Sequence, residues 1–160
     1  MTLNFDHRGH LIPYGPIRIT VEEVERVFVE PYPGSKTRSQ LFEVYQQYVS
    51  ELRDLIGPFS QWIDGSFVTM SESPRDIDVL TFIDWKIMDQ PPQALSIFRQ
   101  NTSGAFAGID PYFIRVLPQD HPKFSNFLAD QAYWLNLFSK TRKGRRGRRL
   151  PKGFVELTFY

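Results

Sequence analysis

Trp62-Ile63-Asp64-Gly65-Ser66-Phe67-Val68-Thr69-Met70-Ser71-Glu72-Ser73-Pro74-Arg75-Asp76-Ile77-Asp78-Val79-Leu80-Thr81-Phe82-Ile83-Asp84 decides how this chain is read. The run from Asp76 onward is rich in β-branched and aromatic residues and reads as a strand. Side chains at i and i+2 of a strand leave the same face, so Asp76 and Asp78 point the same way, while Ile77, Leu80 and Phe82 are available to the core. Two carboxylates so close repel and raise each other's pKa unless a cation lies between them. Oxygen ligands of this kind suit a hard divalent ion, Mg2+ or Mn2+. The Gly65-Ser66 pair ends a preceding strand, expected over 59–64. Glycine there allows a close backbone approach and unusual dihedrals, and serine offers a hydroxyl and an N–H to phosphate oxygens.

Working outward, the strongest helix is expected from about Lys36 to Leu55. Leu41, Val44, Tyr45, Tyr48, Leu52 and Leu55 recur at three- and four-residue steps there, and Gly57-Pro58 stops it. Before it, Thr20 and Glu23 have the spacing of a capping box that opens a short helix to about Val29. Residues 1–19 carry Gly9, Pro13, Gly15 and Pro16 and read as an extended, turn-rich lead-in. After the acidic strand, Pro91-Pro92 opens a crossover helix to about Gln100. Asn101 to Gly104 is its return loop, and a strand over 107–117 follows. The order strand, strand, helix, strand predicts a minimal mixed α/β core with helices on one side. A last helix runs from Pro122 to about Lys140. Its stripe of Phe124, Phe127, Leu128, Trp134, Leu135 and Phe138 reads as core rather than as a base-stacking surface. Residues 153–160 alternate as a strand that adds to the sheet.

Gly65-Ser66, nine residues, then Asp76-Ile77-Asp78-Val79 resembles the signature of the DNA polymerase beta-like nucleotidyltransferase superfamily. The likeness is to its small stand-alone bacterial members, some of them toxins of toxin–antitoxin or defence loci, and it covers about residues 40–117 well. The resemblance implies an α/β (α+β) minimal nucleotidyltransferase fold, a mixed β-sheet flanked by helices. It implies one domain over 1–160, with its core at about 36–117 and a C-terminal helix, basic loop and strand over 122–160. It further implies that Gly65 and Ser66 hold the triphosphate of an NTP and that Asp76 and Asp78 bind two Mg2+ ions. A third carboxylate on a neighbouring strand is then required. Asp110 takes that position, with Glu156 in the terminal strand as the competing candidate. Pro111 follows Asp110 directly and cannot donate to a ladder, so that end of the strand must be an edge or a bulge.

The chain has 160 residues, 41% apolar and 15% aromatic, enough for one core. It contains no cysteine, which excludes disulfides and thiolate metal sites. No apolar stretch has the length of a membrane span and the N-terminus lacks a signal core, so a cytoplasmic protein without membrane contact is expected. Charge is unevenly spread. Residues 140–152 hold eight Lys or Arg and no acid, leaving 11 basic against 18 acidic residues elsewhere. This loop is a solvated hairpin tip, a contact for nucleic-acid backbone, or a flap over the site that binds triphosphate; Arg145, Arg146, Arg148, Arg149 and Lys152 are its candidate phosphate contacts. His7, His10 and His121 have no metal-ligand spacing and are poor catalytic candidates, and Ser66 lacks the second glycine of a nucleophile elbow.

The expected function is transfer of a nucleoside monophosphate from an NTP to a hydroxyl on RNA such as tRNA, on a protein or on a small molecule. A polyanionic acceptor fits the basic loop, and a toxin-like member would have an antitoxin-like protein partner. Two other readings stand beside it. One is a catalytically inactive nucleic-acid- or protein-binding module on the same scaffold; the other is an interaction subunit whose site a partner completes.

Overall fold

The computed structural model describes residues 3–100 and 104–160. The Asp76–Asp84 run forms β5 (Ile77–Asp84), and the stretch before Gly65 forms β4 (Phe59–Asp64). The two pair antiparallel, with Asp64 opposite Asp78 and Trp62 opposite Leu80. β6 (Ile109–Val116) lies parallel to β5 on its far side and sets Asp110 opposite Asp78. β7 (Gly153–Phe159) lies antiparallel to β4, with Glu156 opposite Trp62.

The lead-in is more ordered than its turn-rich sequence suggests. β1 (Asn4–Phe5) and β2 (Leu11–Ile12) form a small antiparallel sheet, and β3 (Gly15–Arg18) joins the main sheet parallel to β7, giving the order β3-β7-β4-β5-β6. Two-residue strands are too short to show a period, and Gly15-Pro16 mimics punctuation. Pro16 and Pro111 both sit on edge strands of this order, where a missing N–H costs no ladder bond toward solvent.

The sheet is buried on both faces, which corrects the expectation of helices on one side. On one face Ile63, Ile77, Val79, Ile83 and Ile109 pack with α1 (Val21–Phe28) and α2 (Arg38–Ile56). Thr20 and Glu23 form the expected capping box at the start of α1, and Gly57, at φ 76°, ends α2. A polar chain crosses this interface: the Tyr45 hydroxyl donates to Gln61 Oε1 at 2.8 Å, and Gln61 Nε2 donates to Thr81 Oγ1 at 2.9 Å. The opposite face carries Trp62, Leu80, Phe82, Ile114 and Phe154 and is covered by Phe127, Trp134, Leu137 and Phe138 of α4 (Phe124–Phe138). Leu80 and Phe82 thus share the face of Asp78, and their burial sets how far the acids stand from solvent.

The β5–β6 connection contains α3 (Trp85–Asp89), capped by Asp84, and a 3-10 helix over Gln93–Arg99 in place of the expected α-helix. Of the return loop, 101–103 lie outside the described residues. The β4–β5 connection opens with a 3-10 turn, Ser66–Val68, and is held by Arg38. Arg38 is 0% exposed. Its Nη1 donates to the carbonyls of Phe28 and Phe67 at 2.7 Å each, Nη2 to Thr69 O at 2.8 Å and to Ser71 O, and Nε to Ser71 O at 3.1 Å. Tyr32 stacks on the guanidinium, 4.2 Å from ring centroid to Cζ. A buried charge is tolerable only when its donors are fully used, and five N–H groups in a planar fork meet four carbonyls here. Replacing Arg38 with Met strands those carbonyls, so unfolding in urea should show a loss of about 3 kcal/mol or more. Arg38→Lys should recover only part of it, because a single ammonium cannot span the fork. A loss below about 1 kcal/mol in Arg38→Met would contradict this account.

Candidate functional site

The register of β4, β5 and β6 sets three carboxyl groups side by side at one end of the sheet: Asp64, Asp78 and Asp110. Residues opposite each other in a ladder leave the same face, so all three emerge on the α4 side. Asp76, just before β5, joins Asp64 and Asp78 in an open cleft of about 1180 Å³, lined also by Gly65 and Ser66.

Each acid has its own environment. Asp64 forms a buried ion pair with Lys152 Nζ, both residues being 7% exposed. Burial pushes the Asp64 carboxyl up, opposed by the Lys152 ammonium and the Gly65 N–H. Asp78 is pushed up to about 7, first by burial and then by the neighbouring charges of Asp64, Asp76 and Asp110. Its side chain also hydrogen-bonds to Asp110, which favours its protonated form. Asp110 Oδ2 accepts from the Tyr112 hydroxyl at 2.7 Å, and Tyr112 rather than Asp110 lines the cleft.

Gly65 is tied to this arrangement. Its φ is 88°, and a β-carbon placed on it would stand 2.6 Å from Asp78 Oδ2. Glycine is needed both for the backbone conformation and to leave room for the carboxyl group.

Glu156 is engaged elsewhere. Its Oε1 accepts from Arg18 Nε at 2.9 Å and Nη2 at 2.7 Å, and its Oε2 accepts from Trp62 Nε1 at 2.9 Å. Asp110, not Glu156, adjoins Asp78.

The basic segment closes on itself. Thr141 N donates to Leu150 O at 2.8 Å, Leu150 N to Thr141 Oγ1 at 3.0 Å, and Gly144 N to Arg148 O at 3.2 Å. Lys140, Arg142, Lys143 and Arg149 line the cleft with Lys152. Arg145, Arg146 and Arg148 are exposed at the tip of the loop and do not line it. Lys152, grouped from the sequence with the loop's phosphate contacts, is withdrawn into its pair with Asp64.

The α4 stripe departs from the expected core. Phe138 is buried, but Leu128 and Leu135 are exposed, and Tyr133 and Trp134 line the cleft. His10 also lines it, and its Nδ1 is buried without a hydrogen-bond partner among the described residues. Asp64 and His10 are therefore site residues that the sequence reading passed over, and Lys152, read from the sequence as a phosphate contact, is instead the partner of Asp64. For Asp64 a signal existed: it precedes Gly65 on the same strand face as Trp62, and antiparallel pairing across the connection must bring it near Asp78.

The donor set of Asp76, Asp78 and Asp110 is all oxygen and suits a hard divalent ion. Among the described residues, no three His, Cys, Asp or Glu side chains stand arranged to hold a metal ion as they are. The crowded carboxyl groups and the orphaned His10 nitrogen are nonetheless polar groups that a cation or polyphosphate would satisfy.

Fold and cleft together define an α+β protein with an acidic site at a sheet end and a basic wall beside it. Residues 3–158 match the family of unknown function DUF6932, and the chain belongs to that family. No curated protein and no solved structure matches it. Among the described residues, no helix is long and apolar enough to cross a membrane.

The raised Asp78 pKa carries a stability signature. In the unfolded chain Asp78 ionises near 4, whereas in the fold it holds its proton up to about 7. The native state therefore binds more protons between those values, and the contribution of Asp78 is full below pH 4 and lost as pH rises through 7. In metal-free buffer, Asp78→Asn should be more stable than the wild type at pH 8, by on the order of 1–3 kcal/mol, and the gap should close toward pH 4. Urea titrations across that range check it, and a gap that widens toward acid would contradict the assignment.

Proposed function

We propose that this protein is a metal-dependent nucleotidyltransferase, moving a nucleoside monophosphate from an NTP to a hydroxyl acceptor. The observation that carries this reading is the convergence, in one cleft, of the Gly65-Ser66 turn with Asp64, Asp76 and Asp78, beside which the β5–β6 register sets Asp110. Asp76, Asp78 and Asp110 would hold Mg2+ or Mn2+. Such ions, when bound, stabilise the charge of a transferring phosphoryl group and make an attacking hydroxyl more acidic.

The remaining work falls to the chain itself. Gly65 lets the turn approach a phosphate, and Ser66, exposed at the cleft, offers it a hydroxyl. Arg142, Lys143 and Arg149 face the same space and offset the triphosphate charge. In the transfer, the acceptor oxygen bonds to the α-phosphorus as the bond to the bridging oxygen of the β-phosphate breaks. Pyrophosphate leaves with that electron pair, and the acceptor's proton passes to a carboxylate of the row. The exposed Arg145, Arg146 and Arg148 at the loop tip favour a polyanionic acceptor such as tRNA. A cytoplasmic setting, and toxin-like action checked by a protein partner, follow from the family resemblance.

One observation favours a second reading, a binding module on a degenerate scaffold: Asp110 spends a carboxylate oxygen on the Tyr112 hydroxyl. Incubation with labelled NTPs, Mg2+ and total RNA or lysate separates the two. Transfer of label by the wild type, reduced at least a hundredfold in Asp76→Ala with an unchanged circular-dichroism spectrum, is the expected outcome on the scale of losing a charge-stabilising group. RNA retained without label transfer supports the binder, and full transfer by Asp76→Ala overturns the assignment.

A further inference from the structure

We infer that Tyr133 and Trp134, on α4, form the stacking surface for the base of the nucleotide, an inference that rests on the nucleotidyltransferase reading. Tyr133 is 62% exposed, more than any other aromatic among the described residues except Tyr160. Both rings line the same cleft as the acids and the Gly65-Ser66 turn. Large aromatic side chains gain most by burial, so a ring left open to a concave site is available to a ligand in a way that a core ring is not.

The two rings meet at 83° with centroids 5.5 Å apart, which makes a corner: a flat heterocycle stacked on one ring meets the edge of the other. Trp134 is fixed from behind. Its ring lies 4.7 Å from Tyr112 and 5.5 Å from Phe138, which is buried against the sheet. Tyr112 in turn donates to Asp110, so a short chain of contacts runs from the acid row to the aromatic corner. Phosphates at the turn and a base at the corner then occupy one cleft. Its volume of about 1180 Å³ exceeds that of a typical small-ligand site and leaves space for an acceptor group.

The occupant is a nucleobase because every base has a π-face and the corner is mostly hydrocarbon, whereas the rest of the cleft lining carries many ionic groups. Stacking of this kind tolerates different bases, so the surface sets affinity more than base choice.

The test compares binding of each of the four NTPs with that of inorganic tripolyphosphate, both with Mg2+, by calorimetry on the full chain. Tyr133→Ala should weaken NTP binding roughly tenfold and leave tripolyphosphate binding unchanged. Tyr133→Phe should restore the wild-type affinity, and because Tyr133 is exposed neither change threatens the fold. Trp134→Leu should act like Tyr133→Ala, and NTP but not tripolyphosphate should quench Trp134 fluorescence, read by difference against that variant. If tripolyphosphate binds to the wild type and NTP affinity is unaffected by Tyr133→Ala, the stacking surface is refuted and the nucleotidyltransferase reading survives. If neither ligand binds the wild type, the nucleotidyltransferase reading fails and the stacking surface with it.

Discussion

Three carboxyl groups aligned across adjacent strands are the constraint around which the rest of this molecule is arranged. Neighbouring strands lie roughly 4.8 Å apart, and two unit charges at that spacing repel by about 3 kcal/mol at an effective dielectric of about 20. A row of three anions, one buried and two half-buried, is therefore costly, and each member is relieved differently. Asp64 is paired with Lys152, Asp78 keeps a proton to about pH 7, and Asp110 takes the hydroxyl of Tyr112. Gly65 contributes by having no side chain where the Asp78 carboxyl group sits. Clustered carboxyl groups with a strongly shifted member are a common mark of functional sites.

The acid row would be of little use if the turn beside it could wander, and here the buried Arg38 connects helices to chemistry. Its guanidinium fastens the carbonyls of Phe67, Thr69 and Ser71, the residues that follow the Gly65-Ser66 turn, to the end of α1 at Phe28. Among the described residues no carboxylate pairs with it, so its charge is spread over four carbonyl dipoles and the Tyr32 ring. Such an arrangement has one geometry in which all donors are used, and that geometry fixes the path between the two halves of the motif.

The strands that build the site were legible because their periods are strong. β4 ends at Asp64 as expected, β5 starts one residue after Asp76, and α2 occupies nearly the expected range. The edge position of β6 was also readable, from Pro111 following Asp110. What escaped has a common physical cause: it depends on contacts between distant segments. Lys152 reads as one more cation of a basic loop, and only the fold brings it to Asp64, 88 residues away. His10 lies in a lead-in whose strands are too short to show a pattern. The α4 stripe has the spacing of a core helix, yet the sheet end beneath it is occupied by acids, so part of the stripe faces a cleft instead.

The charge distribution within that cleft argues against simpler ligands. A basic wall alone would suit any anion, and an acidic end alone would suit a cation or a basic peptide. Lys140, Arg142, Lys143 and Arg149 line one open cleft with Asp76 and Asp78, and among the described residues no ion pair joins the two sets. A purely anionic ligand would be repelled at the acid end, and a purely cationic one at the loop. On the proposed function, the ligand that satisfies both the acids and the cations carries negative charge along most of its length and brings positive charge to the carboxylates, as a polyphosphate with its divalent ions does. The proposed aromatic corner extends the same logic, since it would provide for a flat, uncharged group that inorganic polyphosphate lacks and a nucleotide possesses.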